Sequence, residues 1–92
     1  MRLIEKEMNA AIKYGRDWSK DNTRVEQALS TGGCDVFLHG NHIATVQRDG
    51  LTLVMRHTLR QWPTRTTMSR LRALGVDVCT RKGEVILFGE PL

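Results

Sequence analysis

The alternation of apolar and polar residues in the middle of the chain predicts an antiparallel meander of three strands, at 35–39, 42–48 and 51–56. The dipeptides Gly40-Asn41 and Asp49-Gly50 separate these strands. Glycine and asparagine readily adopt the positive φ angles that two-residue hairpin loops require. The two dipeptides therefore indicate where the chain reverses direction.

One side of the predicted meander is more apolar than the other. Ala44 and Val46 lie on one side of the second strand, and Leu51, Leu53 and Met55 share one side of the third. This pattern is typical of a sheet that is well covered on one side only.

An amphipathic helix is predicted over residues 3–14, followed by Gly15 at the position of a left-handed C-cap. Its apolar stripe consists of Ile4, Met8, Ala11 and Ile12. Residues 16–22 then form a polar connector with one large apolar side chain, Trp18. We expect Trp18 to fill the edge of a core, because an indole buries much area at little cost in conformational entropy.

Residues 23–29 allow two interpretations. Val25, Gln27 and Leu29 alternate as in a strand, but the segment also suits a helix by intrinsic propensity. We favour a strand, because the turn at 30–33 then leads directly into the meander as another hairpin.

Pro63 ends the strand pattern in the segment 60–67. Thr66 or Thr67 is expected to cap a helix at 67–74, with Gly75 just beyond its end. A final hairpin pairs strands 76–80 and 85–88 around the turn 81–84. The last strand is apolar on both faces, which predicts an interior position in the sheet.

The predicted fold is a single α+β domain over residues 1–92. It has an N-terminal helix, an antiparallel meander of three to four strands, a short helix and a C-terminal β-hairpin. Two short helices cannot cover both faces of such a sheet, so we expect an uncovered apolar face. That face would contact a protein partner or a second copy of the chain as a homodimer.

The formal net charge is +4, and it is unevenly distributed. The first fifty residues carry seven basic and seven acidic side chains, whereas the rest carry seven basic side chains against Asp77, Glu84 and Glu90. No apolar run reaches the ~20 residues of a membrane span, and the N-terminus lacks the apolar segment of a signal peptide. We therefore expect a soluble, cytoplasmic protein.

Recognised catalytic motifs are absent, which argues against an enzyme and against a bound cofactor. Cys34 and Cys79 with His39 and His42 could in principle form a zinc site, but structural zinc sites use closely spaced ligand pairs. His39 and His42 are expected to face each other across the Gly40-Asn41 loop. We predict no catalytic residue and no metal site.

The strongest candidate for function is an arginine-rich segment around an aromatic residue, in which guanidinium groups could bind acidic groups and the indole could stack on an unpaired base. The candidate binding residues are Arg56, Arg60, Trp62, Arg65, Arg70, Arg72, Arg81 and Lys82. The competing interpretation is an ordinary solvated surface, with arginine stems covering the edges of the core.

Several short motifs together resemble small accessory proteins that bacteriophage genomes carry. They are Asn22-Thr23-x-Val25, Leu38-His39-Gly40-Asn41-x-Ile43-Ala44, Thr64-x-Thr66-Thr67, Arg70-Leu71-x-Ala73-Leu74-Gly75-Val76 and Lys82-Gly83. The resemblance covers residues 3–88. Because these are mainly turn and core residues, it implies a shared fold and carries over no site residue. It also implies expression in the cytoplasm of a bacterial host.

The sequence thus favours a phage-type accessory protein that acts by binding a host or phage protein, as an inhibitor or adaptor. The alternative is a nucleic-acid-binding protein that uses the arginine-rich segment around Trp62.

Overall fold

The computed structural model describes all residues from Met1 to Leu92. Three helices, α1 (Leu3–Lys13), α2 (Arg56–Gln61) and α3 (Arg65–Ala73), accompany eight strands. The strands are β1 (Trp18–Lys20), β2 (Thr23–Ala28), β3 (Gly33–Leu38), β4 (Asn41–Val46), β5 (Thr52–Val54), β6 (Val78–Arg81), β7 (Glu84–Leu87) and β8 (Glu90–Pro91). They form two antiparallel sheets, in the orders β1-β2-β3-β4-β5 and β6-β7-β8. The α+β class predicted from the sequence is confirmed.

The helices share one core with both sheets. A single cluster of 14 buried apolar residues draws members from all three helices, from the five-stranded sheet and from the three-stranded sheet. Met68 and Leu71 of α3 belong to it, as do Met8 of α1 and Leu87 of β7. Because α3 packs near both sheets, it joins the two halves of the fold. None of the helices has the length and apolar character needed to cross a membrane.

The five-stranded sheet is covered on one side, as its alternation predicts. Val25, Val36 and Ala44 are in register across three strands and are fully buried, with Val54 beside Ala44 at the edge. We call this side the covered face. In β5 the apolar pattern does not mark the buried side of the strand. Leu53 lies opposite Thr45 and is 40% exposed.

The other side of this sheet, the open face, is polar. The Arg24 guanidinium lies 4.3 Å from the centroid of the Phe37 ring and forms an ion pair with Glu26, at 3.3 Å between Nε and Oε1. Thr45 donates a hydrogen bond of 2.8 Å to Asp35. The expected uncovered apolar face is therefore wrong, and the homodimer prediction loses the surface on which it depended.

The loop between β3 and β4 differs from the predicted Gly40-Asn41. It consists of His39 and Gly40, with φ angles of +52° and +79°, and histidine is one of the residues that tolerate such angles. The register shifts by one residue at a β-bulge, so that Ile43 and Ala44 are both buried although they are consecutive. His42 consequently lies opposite Phe37, and the predicted pairing of His39 with His42 is wrong.

The next reversal is a three-residue loop, 48–50, instead of the predicted Asp49-Gly50 pair. Gln47 N donates to Leu51 O, and Gly50 N donates to Gln47 O, each at 2.8 Å. The Asp49 carboxylate also accepts a hydrogen bond of 2.9 Å from Leu51 N. β5 is shorter than predicted, because the chain enters α2 at Arg56.

The segment predicted to be irregular contains α2, whose only buried residue is Leu59. The N-cap of α3 is Thr64, which accepts a hydrogen bond of 3.1 Å from Thr67 N, so the predicted caps at Thr66 or Thr67 are wrong. The helix itself is confirmed, beginning two residues earlier than expected.

The remaining predictions of secondary structure are confirmed with smaller changes. Residues 23–28 form a strand, and Trp18 packs against the core from an additional edge strand, β1. The C-terminal hairpin is present, and β7 is the central strand of its sheet. That sheet is separate from the meander and gains an unpredicted strand, β8, while Phe88 leaves the predicted strand for a loop with φ +52°.

Candidate binding surface

The eight candidate residues do not form one surface. Seven have exposed side chains, whereas Arg70 is only 3% exposed. The exposed ones are Arg56, Arg60, Trp62, Arg65, Arg72, Arg81 and Lys82. The structure distributes them over α2, its link to α3, both ends of α3, and the β6–β7 hairpin.

Arg70 belongs to a buried polar cluster. Its Nη1 donates to Glu5 Oε2 at 2.8 Å, its Nε donates to Thr23 Oγ1 at 3.0 Å, and its Nη2 donates to Asn22 Oδ1 at 3.4 Å. Ser69 Oγ donates to the same Glu5 oxygen at 2.5 Å. The cluster joins α1, α3 and the end of β2, and it leaves Arg70 unavailable to a partner. Its place among the binding residues is therefore wrong.

The charge state of Glu5 follows from this cluster. Burial alone would raise the pKa of the carboxyl group, but hydrogen bonds from Ser69, Arg70 and the Arg2 backbone outweigh it and lower the pKa below its ordinary value. Glu5 is therefore ionised at neutral pH and compensates the buried Arg70 cation. The sequence contained one signal for this role, since Glu5 lies on the same helical face as Met8 and Ile12.

Arg72, Arg81 and Lys82 belong to other elements than α2. The Arg72 Nε donates a hydrogen bond of 2.8 Å to the backbone oxygen of Val78, which ties the end of α3 to β6. Arg81 ends β6, and Lys82 begins the Lys82-Gly83 loop with φ +52°. Arg72 therefore has a structural contact, whereas Arg81 and Lys82 are exposed at the tip of the β6–β7 hairpin.

Four of the predicted residues lie between the start of α2 and the start of α3, and we call them the arginine surface: Arg56, Arg60, Trp62 and Arg65. The three arginines are exposed, and their side chains form no ion pair or hydrogen bond within the protein. Arg56 and Arg60 are four positions apart, so they share one side of α2. Trp62 is 45% exposed at the C-cap of this helix.

Two pockets adjoin this surface. Arg60 lines a shallow one of about 280 Å³ together with Glu84, although the two side chains form no ion pair. Trp62 lines a smaller one of about 180 Å³, which we call the Trp62 pocket, together with residues of the β3–β4 hairpin and with Thr58. No local pattern in the sequence predicts the Trp62 pocket, because the pocket depends on the register of that hairpin.

The residues considered for metal or nucleophilic chemistry are dispersed. No three or more His, Cys, Asp or Glu side chains lie close enough to hold a metal ion. His42 contacts Thr45 at 2.9 Å and Asp35 at 3.4 Å on the open face. Burial, together with the neighbouring charge of Asp35, raises the pKa of the Cys34 thiol, which keeps it protonated at neutral pH.

Comparison with known proteins gives one result. The model of a phage protein family described as Kyanoviridae Gp96 protein matches residues 1–89. No curated protein and no solved structure matches the chain. Since the match extends over nearly the whole sequence, the chain belongs to the Kyanoviridae Gp96 protein family.

Proposed function

We propose that this phage protein acts without catalysis, in the cytoplasm of the bacterial host, by binding an acidic surface of a host or phage protein through the arginine surface. The observation that carries the proposal is the absence of intramolecular partners for Arg56, Arg60 and Arg65 around a half-exposed Trp62. Exposed cations that form no ion pair within the protein remain free to pair with carboxylates of another molecule.

The composition of the surface supports a protein partner. Arginine and tryptophan are the residues most enriched among those that dominate binding energy at protein interfaces, whereas lysine is depleted there. The segment from Arg56 to Arg72 contains five arginines and no lysine. A guanidinium group also binds a carboxylate in a bidentate geometry, which an ammonium group cannot do.

Nucleic acid is the second candidate, favoured by the indole of Trp62 among arginines, which could stack on an unpaired base. One feature weighs against it. Single-strand binding sites usually combine several stacking residues with a continuous basic groove, whereas Trp62 is the sole exposed aromatic residue on this surface.

The test compares two triple variants of equal net charge. Arg56→Gln/Arg60→Gln/Arg65→Gln removes the arginine surface, and Lys6→Gln/Lys13→Gln/Arg16→Gln removes three exposed cations elsewhere. Glutamine keeps the helix propensity of both segments similar. Each variant and the wild type are used to capture proteins from host lysate, with quantification by mass spectrometry.

We expect an acidic protein that the wild type and the control variant capture and that the surface variant loses. Equal capture by all three would contradict the proposal. Binding of single- and double-stranded DNA across a salt series separates the second candidate, because phosphate contacts give a steep linear fall of log K with log salt. Light scattering on the same samples tests the remaining homodimer prediction.

A further inference from the structure

We propose that a pocket at the C-terminal end of α1 binds the phosphate monoester of a small organic molecule. The pocket lies between the last residues of α1 and the turns that connect β2 to β3 and β4 to β5, and we call it the Lys13–Arg48 pocket. Its volume of about 390 Å³ is within the ~300–1,000 Å³ typical of small-molecule sites. No residue of the arginine surface lines it, so this inference does not rest on the proposed function.

The side chains that line this pocket give it a positive charge. Lys13 and Arg48 line it, whereas no aspartate or glutamate does. Both cations are exposed, and neither forms an ion pair within the protein. The carboxylate of Asp49, the residue after Arg48, accepts a hydrogen bond of 2.9 Å from Leu51 N instead. Two cations in a pocket without an acidic side chain attract an anion.

The end of α1 does not cancel this charge. The last carbonyl groups of a helix together carry about −0.5 elementary charge, which is less than the full charge of Lys13 in the last turn. The carbonyl groups of Ala10, Ala11 and Ile12 also accept hydrogen bonds of between 2.9 and 3.3 Å from the backbone N–H groups of residues 14–16. These carbonyl oxygens are therefore already engaged, and the positive charge of the pocket remains.

The donors of the pocket favour a phosphate over a carboxylate. A phosphate monoester carries about −1.5 to −2 charges at pH 7 and three strong acceptor oxygens. Lys13, Arg48 and Gln47 all line the pocket and offer an ammonium, a guanidinium and an amide donor. A carboxylate has one charge and two oxygens, so it would leave one of the two cations without a counter-charge.

The inner part of the pocket is apolar and suits the organic part of the ligand. Ile12, Cys34 and Val46 line it, and all three belong to the core or pack against it. Inorganic phosphate would leave this apolar surface in water, whereas an organic group attached to the phosphate would cover it. Four of the chain's eight glycines also line the pocket and leave its space unfilled. The Arg48 side chain packs over one of them, Gly32, where a Cβ atom would lie 3.1 Å from Arg48 Cδ.

The test is titration of the wild-type protein with phenyl phosphate, inorganic phosphate and benzoate, followed by nuclear magnetic resonance of the backbone amides. We expect phenyl phosphate to shift the amide signals of Gly32, Val46 and Gly50. It should bind about 3- to 10-fold more tightly than inorganic phosphate, because its ring covers apolar surface, and more tightly than benzoate by a similar factor. Lys13→Gln and Arg48→Gln should each weaken its binding about 3- to 10-fold, through loss of one exposed charge-assisted contact.

The matched control is Arg81→Gln/Lys82→Gln, which removes one arginine and one lysine from the three-stranded sheet. It has the same net charge as Lys13→Gln/Arg48→Gln and should bind phenyl phosphate like the wild type. Circular dichroism verifies that each variant is folded. Equal weakening by the two double variants, amide shifts confined to other parts of the protein, or no binding of phenyl phosphate would overturn the proposed site.

The other outcomes concern the class of ligand and the independence of the two sites. Equal affinity for benzoate would overturn the assignment to phosphate, and equal affinity for inorganic phosphate would overturn the organic part of the ligand. Arg56→Gln/Arg60→Gln/Arg65→Gln should retain phenyl phosphate binding although it loses the protein partner. Lys6→Gln/Lys13→Gln/Arg16→Gln should show the opposite behaviour, because it lacks Lys13. Failure of one site is thereby distinguished from failure of the other.

Discussion

Arg65 and Arg70 lie less than two turns apart on α3, yet their surroundings are opposite. Arg65 is exposed and has no partner within the protein, whereas Arg70 is 3% exposed and donates to Glu5, Thr23 and Asn22. The charge of Arg70 holds α1, α3 and β2 together, whereas the charge of Arg65 is exposed to solvent. The comparison shows that an arginine-rich segment combines residues with different roles, which only the position of a counter-charge reveals.

The largest effect is expected from Arg70→Met. Removing one partner of a buried ion pair leaves the other charge uncompensated, which destabilises proteins by about 3–5 kcal/mol. Because small domains have total stabilities of about 5–15 kcal/mol, this variant should be close to unfolding. Urea denaturation followed by circular dichroism measures the free energy of unfolding.

The double variant Glu5→Leu/Arg70→Met is the control for this prediction. Removing both charges avoids a lone buried carboxylate, so the double variant should recover part of the stability that Arg70→Met loses. A loss below about 1 kcal/mol for Arg70→Met would contradict the role assigned to the cluster.

The next-largest effect is a loss of stability at acidic pH that depends on Glu5. The pKa of Glu5 is lower in the folded protein than in the unfolded chain, so its contribution to stability is fully present above the unfolded value of about 4.3. That contribution is lost as the pH falls through the lower folded value. Between about pH 5 and pH 2 the wild type should therefore lose more stability than Glu5→Gln. Parallel pH-dependent declines in the two proteins would contradict the lowered pKa.

Thr64→Ala should cost about 1 kcal/mol, because it removes the side-chain cap at the start of the helix that carries both arginines. Thr66→Ala is the matched control, since Thr66 lies inside the first turn and does not cap it. Equal losses for the two variants, measured by thermal unfolding, would return the N-cap to the position predicted from the sequence.

The smallest effect is expected from Arg65→Gln. An exposed side chain without partners can be replaced with a change in stability within about 0.5 kcal/mol, so the variant should melt like the wild type. Measured beside Arg70→Met, this variant tests the difference between Arg65 and Arg70 directly. A clear loss of stability for Arg65→Gln would mean that Arg65 supports the fold and would weaken its assignment to binding.

Local patterns predicted much of the fold. The stripe of α1, the alternation in β2 and the position of Gly75 after α3 each depend on neighbouring residues, and each prediction is confirmed. The incorrect predictions concern features that depend on contacts between residues far apart in the sequence. α2 buries only Leu59, so it has no apolar periodicity to detect. The β3–β4 loop has two acceptable dipeptides, and packing of Ile43 against the core selects His39-Gly40.

The candidate surface was predicted in part for the same reason. Exposure of Arg56, Arg60 and Arg65 follows from local composition, and the structure leaves these residues exposed. The burial of Arg70 depends on its ion pair with Glu5, which is 65 positions away in the sequence. No periodicity within α3 identifies such a partner, although a carboxylate on the apolar side of α1 indicates that some cation must reach it.

This long-distance pairing has a consequence for synthesis of the protein on the ribosome. The meander and α1 emerge before α3, so the part of the covered face that α3 contacts stays exposed until residue 70 and its neighbours leave the exit tunnel. Only then can Glu5 of α1 pair with Arg70. Contacts between residues so far apart in the sequence slow folding, because the entropy of closing a long loop is lost before the contacts contribute any stability. The nascent chain is therefore most vulnerable to aggregation and proteolysis just before its last third appears.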